Sequence, residues 1–430
     1  MNRLFRIFGA VLAAGVTAAA LAQVSLPGVP LPRLPAVTDP VTGTLRTATS
    51  ALEEARELRV RELLRSERAT VETDPDGQPI LRRQVGALSP TPEALERARG
   101  GGFTVLRTEA LAGLGLTLVV LQAPEGLSTR RALRKLRELD PQGQYDYNHL
   151  YLGSGLQAEA GALPVTMPPA TTAVPVTMPP ANGLRIGLID SGIDGSHPVL
   201  AGAAIERFGC EHAVFPAAHG TAVASLLVGQ GEDFGSVVPG ATLYAADIFC
   251  GHGGGSLSLL AIALDWMARE RIPVVNISLV GARSILLTGL VRAMTSRGFL
   301  LVAAVGNDGP SAPPLYPASY PEVVGVTGVD ANRRVLPEAC RGEQVDFAAA
   351  GAGFEAAAVG GGFEPMRGTS FATPIVAGLL ARSLEAPDPA GARNSLAILE
   401  SAALDLGNNG VDPTYGKGLV GFELHPGRRE

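Results

Sequence analysis

A chain of 430 residues has room for two or three domains, and its 46% hydrophobic content supplies a sizeable core, which excludes disorder as its main state. Charged residues are only 18% of the total while glycine and proline number 53 and 33, so the composition is that of an apolar, loop-rich globular protein. From residue 183 onward 16 basic groups face 24 acidic ones, a net charge of −8 with no Lys/Arg cluster, so nucleic acid and anionic membrane surfaces are excluded as expected partners.

Residues 1–22 open with Arg3 and Arg6 and continue into an apolar run that ends in Ala20-Leu21-Ala22. The run is about 16 residues, short of the roughly 20 that span a bilayer, so it reads as a cleavable export signal and places the protein outside the cytoplasm, secreted or periplasmic. Residues 23–100 read as an N-terminal extension. Proline at 27, 30, 32, 35 and 40 keeps its first part extended. Over 46–68, Leu52, Leu58, Val60, Leu63 and Leu64 among Glu and Arg give an amphipathic helical pattern whose partner surface the sequence does not reveal.

Residues 101–152 read as a small α+β unit, with strands Phe103 to Leu106 and Leu116 to Leu121 and a capped helix Ser128 to Leu139 that turns Leu133 and Leu136 inward. Residues 153–183 read as a linker. In it Pro164-Val165-Thr166-Met167-Pro168-Pro169-Ala170 recurs unchanged at Pro175 to Ala181, a repeat that favours polyproline II and stays open to proteases. Residues 184–425 then alternate apolar strands (Leu184 to Ile189, Thr242 to Phe249, Val274 to Leu279, Leu300 to Val305) with helices from His219, Leu257 and Leu286. That alternation predicts an α/β fold, a doubly wound, mostly parallel sheet with helices on both faces.

Three motifs stand at strand ends or helix starts, where such a sheet places its ligand crevice. Asp190-Ser191-Gly192 follows the first strand, His219-Gly220-Thr221 opens an apolar helix, and Gly368-Thr369-Ser370 opens another. Each alone is an ordinary turn or helix cap. Together they carry Asp, His and Ser in one of the chain orders of the catalytic triad. With Asn276-Ile277-Ser278-Leu279, Ala303 to Asn307, and Phe371-Ala372-Thr373-Pro374 after Ser370, residues 184–422 resemble the catalytic domain of the subtilisin-like serine proteases.

That resemblance implies an exported serine endopeptidase acting on polypeptide substrates through an acyl-enzyme and made as a zymogen. Ser370 would be the nucleophile, His219 the base that takes and returns its proton, Asp190 the group that orients the imidazole, and Asn307 the side-chain oxyanion donor. Two edges, Gly253-Gly254-Gly255-Ser256 and Ser278-Leu279-Val280, would grip an extended peptide, and Ser278 to Val280 with Ala304 and Gly306 would wall its first pocket. Val280 stands where the family commonly has glycine, which predicts a narrowed pocket that disfavours large aromatic side chains. Ala222 stands where many relatives carry a second His and affects packing only. By position, residues 101–152 resemble the family's inhibitory prodomain, the chain's own partner, with processing between about Tyr151 and Gly183.

Cys210-Glu211-His212 and Cys250-Gly251-His252 invite a zinc reading, but an exported chain without Cys-x₂₋₄-Cys spacing favours a disulfide. Cys210 with Cys250 is the better pairing, with Cys340 free; no disulfide at all is the other possibility. No metal ligand set and no cofactor is expected. Asp405-Leu406-Gly407-Asn408-Asn409-Gly410 lacks the closing Glu of a calcium loop, and the family's structural calcium cannot be located. The alternative function is a catalytically silent subtilisin-fold protein that binds peptides in the same cleft. An α/β-hydrolase would need Gly-x-Ser-x-Gly, and Ala372 replaces its last glycine.

Overall fold

The computed structural model describes residues 56, 58–153, 156–157, 178–424 and 426–428. The export signal, the Pro-rich stretch, the start of the amphipathic helix, the first copy of the tandem repeat and the start of the second, and most of the expected processing segment lie outside the described residues.

A helix over 58–66 (α1) is followed by a unit of β1 (Val71–Thr73), β2 (Pro79–Leu88), α2 (Pro92–Gly100), β3 (Thr104–Leu111), β4 (Leu116–Gln122), α3 (Thr129–Leu139) and β5 (Gln144–Gly153). Its antiparallel sheet runs β5-β2-β4-β3, with β1 on β2. One face carries α2 and α3 over Val85, Phe103, Leu121, Leu133, Leu136 and Tyr145. The other sends Leu88, Leu111 and Leu118 into the core of the second half of the chain, so the centre of β4 is covered on both sides and Leu118 to Leu121 form a continuous apolar run.

The compact α+β unit therefore begins at Val71, not at residue 101. β2 sits between β4 and β5, and a boundary at 101 would remove a central strand. Its sequence hides it. Arg82-Arg83-Gln84 interrupts the alternation, Arg83 has φ +60° and the register with β5 shifts between Ile80 and Val85. Ser128 sits at the N-cap of α3 as expected, but its side chain makes no capping bond.

The second half contains β6 (Leu156–Gln157), β7 (Arg185–Asp190), β8 (Ile205–Phe208), α4 (Ala218–Val228), β9 (Phe234–Gly235), β10 (Thr242–Asp247), β11 (Gly255–Ser256), α5 (Leu257–Arg269), β12 (Val274–Ile277), β13 (Leu279–Val280) and α6 (Ile285–Thr295). It continues through β14 (Leu300–Ala304), β15 (Val324–Val329), β16 (Phe347–Ala350), β17 (Ala352–Ala357), β18 (Phe363–Arg367), α7 (Thr369–Ala381), α8 (Pro389–Ser401) and β19 (Gly427–Arg428). Seven strands form one parallel sheet in the order β16-β15-β14-β12-β7-β10-β8.

Successive side chains of each strand enter opposite cores, which is why the central runs are predominantly apolar. Val274, Leu300 and Val302 pack with α4 and α7, whereas Val275, Leu301 and Ala303 pack with α5 and α6. This is the doubly wound architecture expected. A small antiparallel sheet, β6-β18-β17-β19-β9, borders it, so two residues of the expected linker form a strand and the domain runs past 425.

One expected strand is broken. Val274 to Leu279 divides at Ser278, and β13 leaves the central sheet to pair with the end of β5. The Cys210–Cys250 disulfide is formed and joins the loops after β8 and β10, while Cys340 is free and buried, its thiol pushed up to about 12 by burial. In the loop after α8 the Asp412 carboxylate accepts the amides of Asn408, Thr414 and Tyr415, which hold it below the usual range despite burial. No helix among the described residues is long and apolar enough to cross a membrane.

Candidate active site

Asp190 ends β7 at the carboxyl edge of the parallel sheet and is only 2% exposed. Its Oδ1 accepts the Ser191 amide at 2.7 Å and the Ser191 hydroxyl at 3.0 Å. Both oxygens face His219 Nδ1, at 2.8 and 3.0 Å. His219 is the second residue of α4, whose N-cap, Ala217, has no side chain able to cap. Ser191 Oγ supplies the missing acceptor by taking the Gly220 amide at 3.0 Å. Gly220 is required here, because a Cβ would collide with the Ser191 carbonyl.

A carboxylate facing Nδ1 selects the tautomer protonated there and leaves Nε2 as a lone-pair acceptor. Nε2 is buried and has no hydrogen-bond partner among the described residues. The imidazole packs on Phe371, the residue after Ser370, with ring centroids 5.5 Å apart. Ser370 is wholly buried as the second residue of α7, behind Gly368, whose φ of +139° makes the sharp entry.

The start of α7 is held from two sides. Pro374 has no amide to bond the Ser370 carbonyl four residues back, and Ser278 Oγ donates to that carbonyl instead, at 3.1 Å. Ser278, expected as part of a substrate edge, thus spends its hydroxyl on the nucleophile's backbone. Asn307 Oδ1 accepts the Thr369 amide at 3.0 Å, and Thr369 Oγ1 accepts the Gly306 amide at 3.3 Å. This fixes the Asn307 carboxamide and leaves Nδ2 buried without a partner among the described residues, a preorganised donor. Ala304 and Gly306 are both buried, and Gly306 has φ +103°.

The two expected edges flank the end of β5. Tyr151 and Leu150 pair antiparallel with Gly255 and Ser256, and Gly153 and Leu152 pair antiparallel with Leu279 and Val280. Gly253 faces Leu63 of α1, and a Cβ on Gly254 would stand 3.1 Å from the Tyr151 carbonyl. The Tyr151 ring is fully buried against Gly281, and its hydroxyl donates to the Ala282 carbonyl at 3.1 Å. Gly153 lies over the imidazole, so that a Cβ there would stand 3.9 Å from His219 Cγ.

The rest of the N-terminal unit docks on helix starts. Asp146 Oδ2 accepts the Ile285 amide at 2.9 Å at the start of α6, and Asn148 Oδ1 accepts the Ser258 amide at 3.2 Å at the start of α5. The roles of Ser191, Tyr151, Asp146 and Asn148 escaped the sequence. Only the position of Ser191 in its motif could have signalled one of them.

The sequence profile of the Subtilase family (Peptidase_S8) matches residues 181–418. Subtilisin E of Bacillus subtilis is 32% identical over 249 residues, covering 56% of this chain and 65% of that protein. Subtilisin of Bacillus pumilus is 31% identical over 249 residues, covering 56% of this chain and 90% of that one. The chain thus spans about two thirds of the length of subtilisin E. Among solved structures, fervidolysin from Fervidobacterium pennivorans, a keratinolytic enzyme related to subtilisin, superimposes with a TM-score of 0.67 at 20% identity, over 81% of this chain and 61% of that one, a likeness of fold.

Proposed function

The chain belongs to the subtilase family, and on that premise we propose that it is an exported, subtilisin-like serine endopeptidase made as a self-processed zymogen. The observation that carries the reading is the His219 imidazole, fixed by Asp190 at Nδ1 with Nε2 left open beside the start of α7.

In this reading Ser370 Oγ attacks the carbonyl carbon of the scissile bond as its proton passes to His219 Nε2. Asp190 stabilises the imidazolium without taking the proton. The oxygen that becomes negative lies against Asn307 Nδ2 and the Ser370 amide at the positive end of α7. Collapse expels the amine, protonated by His219, and leaves an acyl-enzyme. Water then repeats the sequence, losing its proton to His219 and releasing the acid and Ser370.

The N-terminal unit is read as the inhibitor. Its last strand supports this by lying antiparallel between both edges, with Gly153 over the imidazole, so a substrate must displace it. Cleavage for maturation would then fall within 154–183. A fluorophosphonate tests the reading: it should label the wild-type protein and fail to label Ser370→Ala, whose precursor should persist uncut. A folded wild type that never labels would refute it.

A further inference from the structure

The Cys210–Cys250 bridge sits on a carboxylate that the triad does not use. Asp247 ends β10, and its Oδ1 accepts the amides of Phe249 and Cys250 at 2.9 and 3.0 Å. Its Oδ2 is buried with no hydrogen-bond partner among the described residues. One oxygen thus fixes the carboxylate and leaves the other as an open electron-pair donor, the way outer-shell amides present a ligand to a metal ion. Burial, with a contribution from the Asp190 charge and against the two amides, pushes this carboxyl above its ordinary range, so the site lacks a cation.

Both sulfurs lie against the same residue. Cys210 Sγ and Cys250 Sγ are 3.4 and 3.9 Å from the Asp247 carbonyl oxygen, and the two sulfurs and a carboxylate oxygen all lie within 4.8 Å of one another. Thiolates and a carboxylate bound to tetrahedral zinc, at about 2.3 and 2.1 Å from the ion, stand roughly 3.5–3.8 Å apart. Opening the bridge is therefore most of the movement required. Of the imidazoles in the two Cys-x-His pairs, His212 lines the same cavity as Asp247, while His252 faces Glu67 at 3.7 Å. Cys210, Glu211 and His212 have φ of +51°, +52° and +70°, a left-handed run that non-glycine residues keep only when it is anchored.

We propose that this cluster is a redox-gated metal site: once the bridge is reduced, Cys210, Cys250, Asp247 and His212 hold one Zn²⁺ in tetrahedral coordination. A dithiol supplies the two electrons. The protein's S–S bond breaks, the reductant's S–S bond forms, and two hydrogens pass to Cys210 and Cys250. Zinc then displaces those two protons and meets two thiolates and a carboxylate. Disulfide and metal are alternative states of one clamp, and either joins the loop that leads to His219 with the loop that leads to the Gly253 to Ser256 edge. The proposal does not rest on the reaction assigned above.

The test uses full-length Ser370→Ala protein, reduced with a phosphine, freed of it without air and titrated with Zn²⁺. It should bind one zinc per chain with release of about two protons, about 100-fold or more tighter than the oxidised protein, and regain the Tm lost on reduction. Asp247→Asn and His212→Ala should each weaken binding by about tenfold or more, while Co²⁺ still shows the charge-transfer band of two thiolates. Cys340→Ser should change nothing. Reduced protein that binds zinc within about tenfold of the oxidised form, or that unfolds and is not restored by zinc, overturns the site, and neither comparison needs a ligand variant. Asp247→Asn protein that binds as tightly as its parent overturns it as well.

Discussion

Truncating Tyr151 should open the cleft. Its ring is fully buried between the two edges, and its hydroxyl donates to the Ala282 carbonyl. Burial holds that hydroxyl protonated by raising it well above the ordinary phenol range. A tyrosine removes roughly 200 Å² from water, which at about 25 cal/mol per Å² is about 5 kcal/mol as an upper bound. Measured aromatic truncations cost about 3–5 kcal/mol, and 1.4 kcal/mol is a factor of ten. Displacement of the strand in Tyr151→Ala should therefore be favoured by about 100-fold to 3,000-fold. In protein purified with its N-terminal part bound, a fluorophosphonate reaches Ser370 only when the strand at Gly153 is out of the way. Its labelling rate should rise by that factor until the rate for free enzyme caps it. Gly281→Ala attacks the same contact from the other side, since the new Cβ would stand 2.5 Å from the Tyr151 ring. A folded Tyr151→Ala protein that labels within about threefold of wild type would show that the strand does not block the nucleophile.

Asn307→Ala should lower kcat by about 100-fold to 1,000-fold with little change in KM, because the lost donor acts on charge that develops only in the transition state. It should also cost about 1–3 kcal/mol of stability, since the Thr369 amide loses its acceptor, and a steady-state assay paired with denaturant unfolding separates the two effects. Burial alone would raise the Asp74 carboxyl, but His149 and the amides of Gln78 and Asp76 outweigh it and hold Asp74 below the usual range. The stabilisation is therefore complete above the unfolded value near 3.9 and is lost as pH falls through the lower folded value. In a Ser370→Ala background, the Tm advantage over Asp74→Asn should be constant from pH 7 to about 5 and shrink at more acid pH; an advantage that persists to pH 2 contradicts the linkage. Reducing the Cys210–Cys250 bridge, which closes a loop of 40 residues, should cost about 4 kcal/mol on the chain-entropy account, seen as a fall in Tm with dithiothreitol that the double Ser variant does not show.

What the sequence discloses depends on whether local pattern and tertiary demand agree. β7, β12 and β14 are legible because a strand buried on both faces is a short, mostly apolar run, uninterrupted in β14 and broken only by Asn276 in β12 and by the charged ends of β7. Asp190, His219 and Ser370 are legible for a related reason: each stands at a strand end or helix start marked by glycine, so the fold's crevice and the chemistry coincide. β2 is not legible, because Arg82-Arg83-Gln84 falls at the register shift between Ile80 and Val85 and does not follow the period of two. β16 also escapes, since Phe347-Ala348-Ala349-Ala350 lacks the β-branched residues that distinguish a strand from a helix.

The break at Ser278 has a cause 96 residues further on. Pro374 denies the Ser370 carbonyl an amide, Ser278 leaves the ladder to replace it, and the next two residues are thereby freed to pair with β5. No window of sequence contains both ends of that exchange. The same holds for Arg56 and Arg59 on Asp308, where a helix whose partner surface the sequence does not reveal instead neutralises a charge beside Asn307. Contacts between remote segments thus decide which of the recognised residues carry chemistry and which support it. They also tie the two halves of the molecule together, because cations that neutralise a buried carboxylate beside Asn307 are supplied by the part of the chain that the proposed zymogen reading removes.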